Sequence, residues 1–109
     1  MAEFTGGCLC GAIRYTAKGD IIRMVNCHCD DCRRATGASF GNYGFVNEGD
    51  LSILQGTSKS FEHGNDLGAT MTKRLCGNCG GQLFGKGSRG GGMIHIKVGT
   101  IDDASFGAR

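Results

Sequence analysis

The residues of this chain with the most distinctive chemistry are its seven cysteines, which fall into three short clusters. In chain order the clusters are Cys-x-Cys, Cys-x-Cys-x-x-Cys and Cys-x-x-Cys, formed by Cys8 and Cys10, by Cys27, Cys29 and Cys32, and by Cys76 and Cys79. Thiolates grouped at such short spacings are ligands for Zn²⁺ and related cations. The clusters therefore predict metal binding.

The first and third clusters are predicted to form one closed, structural Zn²⁺ site. On a strand, the side chains of Cys8 and Cys10 would project from the same face and converge on one tetrahedral ion. The segment of residues 76–79 is typical of a turn that presents two thiolates, and Gly77 and Gly80 permit a positive φ there. Iron can also occupy a four-cysteine site, and four unrelated buried cysteines are the alternative without metal.

The middle cluster supplies three thiolates and, once the other four cysteines are assigned, lacks a fourth. Catalytic zinc sites commonly have three protein ligands and an open position for water or substrate. We therefore expect Cys27, Cys29 and Cys32 to bind a second Zn²⁺ and to form the catalytic site. The alternatives are a redox-active trio without metal, or a closed site completed by a histidine: His28, His63 or His95. Because His28 lies between two ligands, it should point to the opposite face and serve packing.

The ligand set also predicts the substrate class. Three thiolates make Zn²⁺ a weaker Lewis acid than three histidines do, so activation of water is disfavoured. A thiolate-rich ion suits a further sulfur as its fourth ligand, which predicts a small thiol as substrate. The added negative charge would need cationic support. The candidates are basic residues near the cysteines, which could equally form solvated surface: Arg33, Arg34, Lys73 and Arg74.

Short strands must position these clusters, because the segments between turn signals alternate apolar and polar residues. Ile13, Tyr15 and Ala17, for example, are expected to point inward. Residues 30–36 are predicted to form a short helix that ends at Gly37. The predicted strands cover residues 12–18, 21–26, 40–46, 51–54, 58–62, 69–75, 82–84 and 93–98. The expected fold is mainly β, with small antiparallel sheets and one short helix.

The composition favours a fold that metal binding stabilises. The chain has 109 residues, which we assign to one domain, residues 1–109. Glycine accounts for 21 residues, and only 6 Phe and 2 Tyr, with no Trp, are available as large core residues. Since glycine loses the most backbone freedom on folding, apolar burial alone should leave a thin margin of stability. Metal binding by the cysteines would add the free energy of folding that the small apolar core lacks.

Several classes of protein are disfavoured by the sequence. No apolar run approaches the ~18 residues of a membrane span, and the first residues lack the basic and apolar regions of a secretory signal. An odd number of cysteines, seven, argues against a secreted disulfide scaffold. A formal net charge of +2 is too small for a nucleic-acid surface. We therefore expect a cytoplasmic protein that binds neither membranes nor nucleic acid.

Three segments together resemble the glutathione-dependent formaldehyde-activating enzyme family, which includes centromere-protein-V-like members. They are Cys-Leu-Cys-Gly-Ala-Ile-Arg-Tyr at residues 8–15, Asn-Cys-His-Cys-Asp-Asp-Cys-Arg-Arg-Ala-Thr-Gly at 26–37, and Arg-Leu-Cys-Gly-Asn-Cys-Gly at 74–80. Gly-Thr-Ile-Asp-Asp at 99–103 is similar to another signature of the family. The resemblance spans nearly the whole chain and depends on three cysteine motifs in order.

The resemblance implies an Mss4-like fold of small curved sheets that holds two Zn²⁺ ions, one structural and one catalytic. It implies a carbon–sulfur lyase that condenses glutathione with formaldehyde to S-(hydroxymethyl)glutathione, with the zinc holding the glutathione sulfur as a thiolate. By motif, it assigns Cys8, Cys10, Cys76 and Cys79 to the structural site and Cys27, Cys29 and Cys32 to the catalytic site. Two other functions remain open: a non-catalytic, zinc-stabilised protein-binding module, and a redox or metal-storage protein.

Overall fold

Nine β-strands and one α-helix form the regular structure of residues 3–103, the part of the chain that the computed structural model describes. The strands are β1 (Phe4–Gly7), β2 (Arg14–Ala17), β3 (Arg23–Cys27), β4 (Gly41–Asn47), β5 (Leu51–Gln55), β6 (Lys59–Gly64), β7 (Thr70–Leu75), β8 (Gln82–Gly87) and β9 (Met93–Lys97). Helix α1 (Asp30–Thr36) follows β3, and single 3-10 turns, Glu48–Asp50 and Val98–Thr100, follow β4 and β9. Within this part of the chain, no helix has the length and apolar character needed to cross a membrane.

The strands form two sheets, and each described strand pair is antiparallel. The smaller sheet has the order β1-β2-β5, and the larger has the order β3-β4-β9-β8-β7-β6. The predicted fold class, mainly β with small antiparallel sheets and one short helix, is therefore confirmed. Cysteine sets that could hold zinc lie at the ends of these elements, as shown below.

The two sheets share one apolar core. Tyr15 from β2 and Phe84 from β8 meet edge to face, with ring centroids 5.1 Å apart, and both are buried. Buried aliphatic side chains from both sheets surround them: Ile13, Ala17, Val46, Leu83, Ile94 and Ile96. Ile13, Tyr15 and Ala17 therefore point inward, as predicted.

The predicted strands match the observed ones to within a few residues at each end, with one omission. Strand β1 escapes prediction because two of its four residues are Gly6 and Gly7, so it shows no apolar alternation. A Cβ atom at Gly7 would lie 2.7 Å from the Ile13 carbonyl oxygen. The close approach of the β1 and β2 backbones therefore requires glycine at this position.

Helix α1 has the predicted bounds and ends at Gly37, whose φ of 71° is the left-handed conformation of a C-cap. Cys29 is the N-cap residue, and its sulfur accepts a hydrogen bond from the Cys32 N–H at 3.4 Å. Asp30 and Asp31 place negative charge in the first turn, where the helix dipole favours it. The start of the helix therefore positions two cysteines of the middle cluster.

The segment after β9 connects the larger sheet to the smaller one. Thr100 Oγ1 lies 2.7 Å from the Tyr15 hydroxyl oxygen. Asp102 forms an ion pair with Arg14 at 2.5 Å and accepts a hydrogen bond from Thr5 Oγ1 at 2.6 Å. These hydrogen bonds, the one from Arg14 first, lower the pKa of the Asp102 carboxyl to about 2. Thr100 and Asp102 of the 99–103 motif thus connect the two sheets.

Candidate metal centres

The first and third cysteine clusters come together at two turns. Cys8 and Cys10 lie in the turn between β1 and β2, and Cys76 and Cys79 lie in the turn between β7 and β8. The four Sγ atoms all lie within 4.8 Å of one another, and those of Cys8 and Cys76 are each 3.7 Å from that of Cys10. Because the sulfur ligands of tetrahedral zinc are about 3.8 Å apart, the spacing fits such an ion.

The strand placement predicted for Cys8 and Cys10 is wrong. Strand β1 ends at Gly7, and the two cysteines occupy a tight turn in which the Gly11 N–H donates to the Cys8 carbonyl oxygen at 3.1 Å. Gly11 has a φ of 80°, which glycine adopts without steric cost. The curved backbone of a turn, rather than the pleat of a strand, directs both sulfur atoms to one point.

Several N–H groups surround the sulfur atoms of this four-cysteine set. Asn78 donates twice, from its backbone N–H to Cys76 Sγ at 3.4 Å and from Nδ2 to Cys10 Sγ at 3.2 Å. The backbone N–H groups of Cys10 and Gly81 lower the pKa of the Cys79 thiol to about 6. Such donors favour the thiolate form that binds metal, so the donor set fits a divalent cation.

The middle cluster comes together where β3 meets α1. Cys27 is the last residue of β3, Cys29 caps the helix, and Cys32 lies in the first helical turn. Their Sγ atoms lie within 4.8 Å of one another, and those of Cys27 and Cys29 are 3.4 Å apart. Cys29 is exposed whereas Cys32 is buried, so this three-cysteine set has one side toward solvent.

The pKa shifts of these thiols are also consistent with a cation bound between them. Burial raises the pKa of the Cys32 thiol to about 12, so the thiol keeps its proton at neutral pH unless a positive charge replaces it. The hydrogen bond from the Cys32 N–H, by contrast, lowers the pKa of the Cys29 thiol. A metal ion would hold these adjacent groups as thiolates together.

The ring nitrogens of the three histidines do not belong to the three-cysteine set. Within residues 3–103, no His, Asp or Glu ligand atom joins the three sulfurs at the same close spacing. His28 is exposed and packs against Phe40, with ring centroids 4.9 Å apart. His63 Nδ1 lies 2.9 Å from the Gly64 carbonyl oxygen, and His95 is buried in the larger sheet. A closed site completed by one of these histidines is therefore not the observed arrangement.

The four basic residues proposed as cationic support have different surroundings. Arg33 forms an ion pair with Asp30 at 2.5 Å, within the helix. Arg34 and Lys73 line a cavity of about 480 Å³ between α1 and strands β6 to β8. Arg74 lines a different cavity, since neighbouring residues of a strand point to opposite faces. Two of the four candidates therefore face a cavity beside the helix.

The cavity beside α1 carries both signs of charge and unpaired polar atoms. Asp31, His63 and Gln82 line it together with Arg34 and Lys73. His63 Nε2 and Gln82 Oε1 are buried and have no hydrogen-bond partner within the described residues. Because α1 supplies both part of this wall and part of the three-cysteine set, the two are neighbours. Such a lining suits a small molecule with carboxylate and ammonium groups.

A second group of polar side chains lies on the larger sheet, and the sequence singles out only one of its members, His95, as a possible metal ligand. Tyr43, His95 and Lys97 are all buried. Lys97 Nζ lies 2.9 Å from His95 Nε2 and 4.0 Å from the centre of the Tyr43 ring. The one signal in the sequence is the alternation of β9, in which His95 and Lys97 share one face and Ile94 and Ile96 share the other.

Comparison with known proteins extends these observations. A crystal structure of a Rhodobacter sphaeroides protein, a Northeast Structural Genomics target, is similar to this chain with a TM-score of 0.73 and 17% sequence identity. The likeness covers 91% of this chain and 88% of that chain, and it concerns the fold. The model of the family described as "Glutathione-dependent formaldehyde-activating enzyme" matches residues 3–108. The chain therefore belongs to the glutathione-dependent formaldehyde-activating enzyme family.

Proposed function

We propose that this protein is a zinc-dependent carbon–sulfur lyase that acts on small thiol adducts, with S-(hydroxymethyl)glutathione synthase-like activity on glutathione and formaldehyde. Membership in the family supports a function related to these two compounds at a coarse level. The observation that carries the finer proposal is the difference between the two sulfur sets. One set has four sulfurs, whereas the other has three and is exposed on one side.

Two metal ions per chain are part of the proposal. A structural Zn²⁺ would be held by Cys8, Cys10, Cys76 and Cys79, and a catalytic Zn²⁺ by Cys27, Cys29 and Cys32. When bound, the second ion would supply a soft Lewis-acidic position suited to a thiolate sulfur. Seven free thiols also suit a reducing compartment, and we propose the cytoplasm.

The protein's own side chains would orient the substrates. In the reaction the thiol sulfur forms a bond to the aldehyde carbon, the π electrons of the C=O bond move to oxygen, and oxygen gains a proton from solvent, which balances the proton that the thiol loses to solvent on binding. Arg34 and Lys73 would bind carboxylates of the thiol, and Asp31 would bind its ammonium group. Binding at these points would hold the thiol sulfur at the three-cysteine set and orient it toward the aldehyde carbon.

The Cys29→Ser variant tests this function. Serine is a favoured N-cap residue, so its hydroxyl can replace the sulfur as acceptor of the Cys32 N–H and preserve the start of the helix. We expect a folded variant that binds about one zinc ion, because only the four-cysteine set stays complete. Adduct formation from glutathione and formaldehyde should fall to the uncatalysed rate, measured by NMR exchange between free and adduct glutathione.

The matched control for this experiment is Leu9→Ala. Leu9 lies between two cysteines of the other set, and its side chain is 90% exposed. This variant should keep both ions and the full exchange rate. A wild-type exchange rate in the Cys29→Ser protein would contradict the proposed mechanism.

A second candidate function, a non-catalytic zinc-stabilised protein-binding module, is favoured by one observation. Strand β5 is at an edge of the smaller sheet and exposes Ile53 and Leu54, and such edges can pair with a partner chain. The two functions differ in their response to thiol. With cobalt in place of zinc, glutathione should change the thiolate-to-cobalt absorption of a lyase and leave that of a module with two closed sites unchanged.

A further inference from the structure

Lys97 brings a positive charge into the larger sheet, and the described part of the chain provides it with no carboxylate partner. The residue is only 8% exposed, and none of the ion pairs found within residues 3–103 includes it. Lys73, on the neighbouring part of the same sheet face, is equally buried. A buried charge without a counter-charge is costly, so a source of negative charge is expected close to Lys97.

Two aromatic rings hold the Lys97 side chain in place. Its Nζ donates to His95 Nε2 at 2.9 Å and lies 4.0 Å from the centre of the Tyr43 ring, and the two rings stack with centroids 4.2 Å apart. Burial lowers the pKa of His95 to about 3, so the imidazole is a neutral acceptor. Burial and the nearby Lys73 lower the pKa of Lys97 to about 8, so most of it stays charged at neutral pH.

The three-cysteine set lies close to the hydroxyl end of Tyr43, and the charges of Cys32 and Cys27 also act on Lys97. In the sheet register Lys97 is opposite Tyr43, and Gly41, two positions from Tyr43 on β4, is opposite Cys27. The Tyr43 hydroxyl oxygen is buried, and together with burial the Cys32 thiol raises the pKa of Tyr43. Lys97 also lines a cavity of about 560 Å³ that includes Gly41. Tyr43 therefore contacts the ammonium through its ring and the three-cysteine set through its hydroxyl.

We propose that Lys97 is a positioning residue of the three-cysteine site: its ammonium, held by His95 against the Tyr43 ring, is the counter-charge for a substrate thiolate bound at that site. This inference rests on the function proposed above. As the thiol binds, its proton leaves to solvent and the site becomes more negative by one charge. Lys97 offsets this charge on the sulfur, whereas Arg34 and Lys73 face the rest of the substrate.

Binding of thiols to the cobalt-loaded protein tests this role, with thiolate-to-cobalt absorption as the readout. The probes are glutathione, which carries carboxylates, and 2-mercaptoethanol, which carries none. In the Lys97→Met protein the affinity for both probes at pH 7 should fall about tenfold, the effect expected for loss of one nearby opposite charge. Lys97→Arg keeps the charge and should restore both affinities to within about threefold of wild type.

The matched control is Lys86→Met. Lys86 lies on the same sheet, is partly exposed and pairs with Glu48 at 2.9 Å, so its loss should leave both thiol affinities unchanged. If Lys97→Met does not fold, Lys97→Gln replaces it, because glutamine lacks the charge but can still donate to His95. Metal content is measured in each variant, so that thiol affinity refers to loaded sites.

The possible outcomes separate the two proposals. Equal thiol affinities in wild type and in the uncharged Lys97 variant would overturn the role of Lys97 and leave the proposed function standing. Loss of affinity for glutathione alone would also overturn it, since the lysine would then bind a carboxylate. If the wild-type protein shows no response to either thiol, the proposed function is wrong and the role of Lys97 falls with it.

Discussion

The seven thiols are the same functional group, but they lie in different surroundings. Cys10 and Cys29 are both exposed. Cys10 belongs to a set of four and accepts a hydrogen bond from Asn78 Nδ2 at 3.2 Å, whereas Cys29 belongs to a set of three beside a charged cavity. If each set holds a four-coordinate ion, the number of sulfurs in the set, rather than their exposure, decides which ion has a position left for another ligand.

We predict that any side chain at position 85 would disturb the contact between His95 and Lys97. A Cβ atom at Gly85 would lie 2.5 Å from His95 Nε2, the atom that accepts from Lys97. Gly85→Ala should lower the free energy of unfolding in urea by about 1–3 kcal/mol. Gly49→Ala, where nothing lies within 4 Å of the added atom, should change it by less than about 0.5 kcal/mol. Similar unfolding free energies for both variants would contradict the packing described here.

At the scale of residues, the sequence identifies the cysteine sets but not the side chains that support them. Cysteines at short, fixed spacings are a local signal, so all seven can be grouped without a structure. The approach of Lys97 to Tyr43 depends instead on the pairing of β9 with β4, which are far apart in the chain. Gln82 similarly reaches the Ala35 carbonyl oxygen of α1 only through the tertiary fold.

At the scale of elements, each cysteine set forms where elements end. The four-cysteine set connects the β1–β2 turn to the β7–β8 turn, and so connects the smaller sheet to the larger one. The three-cysteine set joins the end of β3 to the start of α1. A metal ion in the four-cysteine set would therefore stabilise the packing of the two sheets. An ion in the three-cysteine set would affect only the connection between β3 and α1.

Loss of metal from the four-cysteine set is predicted to unfold the protein. Structural zinc contributes on the order of 10 kcal/mol to small domains, which is comparable with their total stability. Cys76→Ser, and treatment of the wild type with a strong chelator, should each abolish the cooperative thermal transition followed by circular dichroism. Cys29→Ser should retain that transition. A wild-type transition that is unchanged by complete removal of metal would contradict this role.

Prediction of the elements succeeds where alternation or capping is local. Eight strands and the helix follow from period-2 patterns and from Gly37, which ends α1 with a φ of 71°. Strand β1 has no such pattern, because half of it is glycine. This omission also explains the error for Cys8 and Cys10, since the position of the turn that carries them depends on where β1 ends.

At the scale of the whole molecule, the larger sheet separates the core from the proposed site. One face contributes Phe84, Ile94 and Ile96 to the core shared with the smaller sheet. The other face carries His95 and Lys97, and Lys97 is close enough to Cys32 and Cys27 for their charges to act on it. The fold class and the family follow from three short motifs and strand patterns, whereas the location of the cavities beside α1 depends on helix–sheet packing that no short motif encodes.

The central claim is that the four-cysteine set is closed and the three-cysteine set accepts a thiol. A crystal structure of the zinc-loaded protein grown with glutathione, with anomalous scattering at the zinc edge, tests it most directly. We expect two zinc ions per chain, one of them bound by Cys27, Cys29 and Cys32 and by the glutathione sulfur at about 2.3 Å. A single ion, or a protein side chain as the fourth ligand of the three-cysteine set, would contradict it.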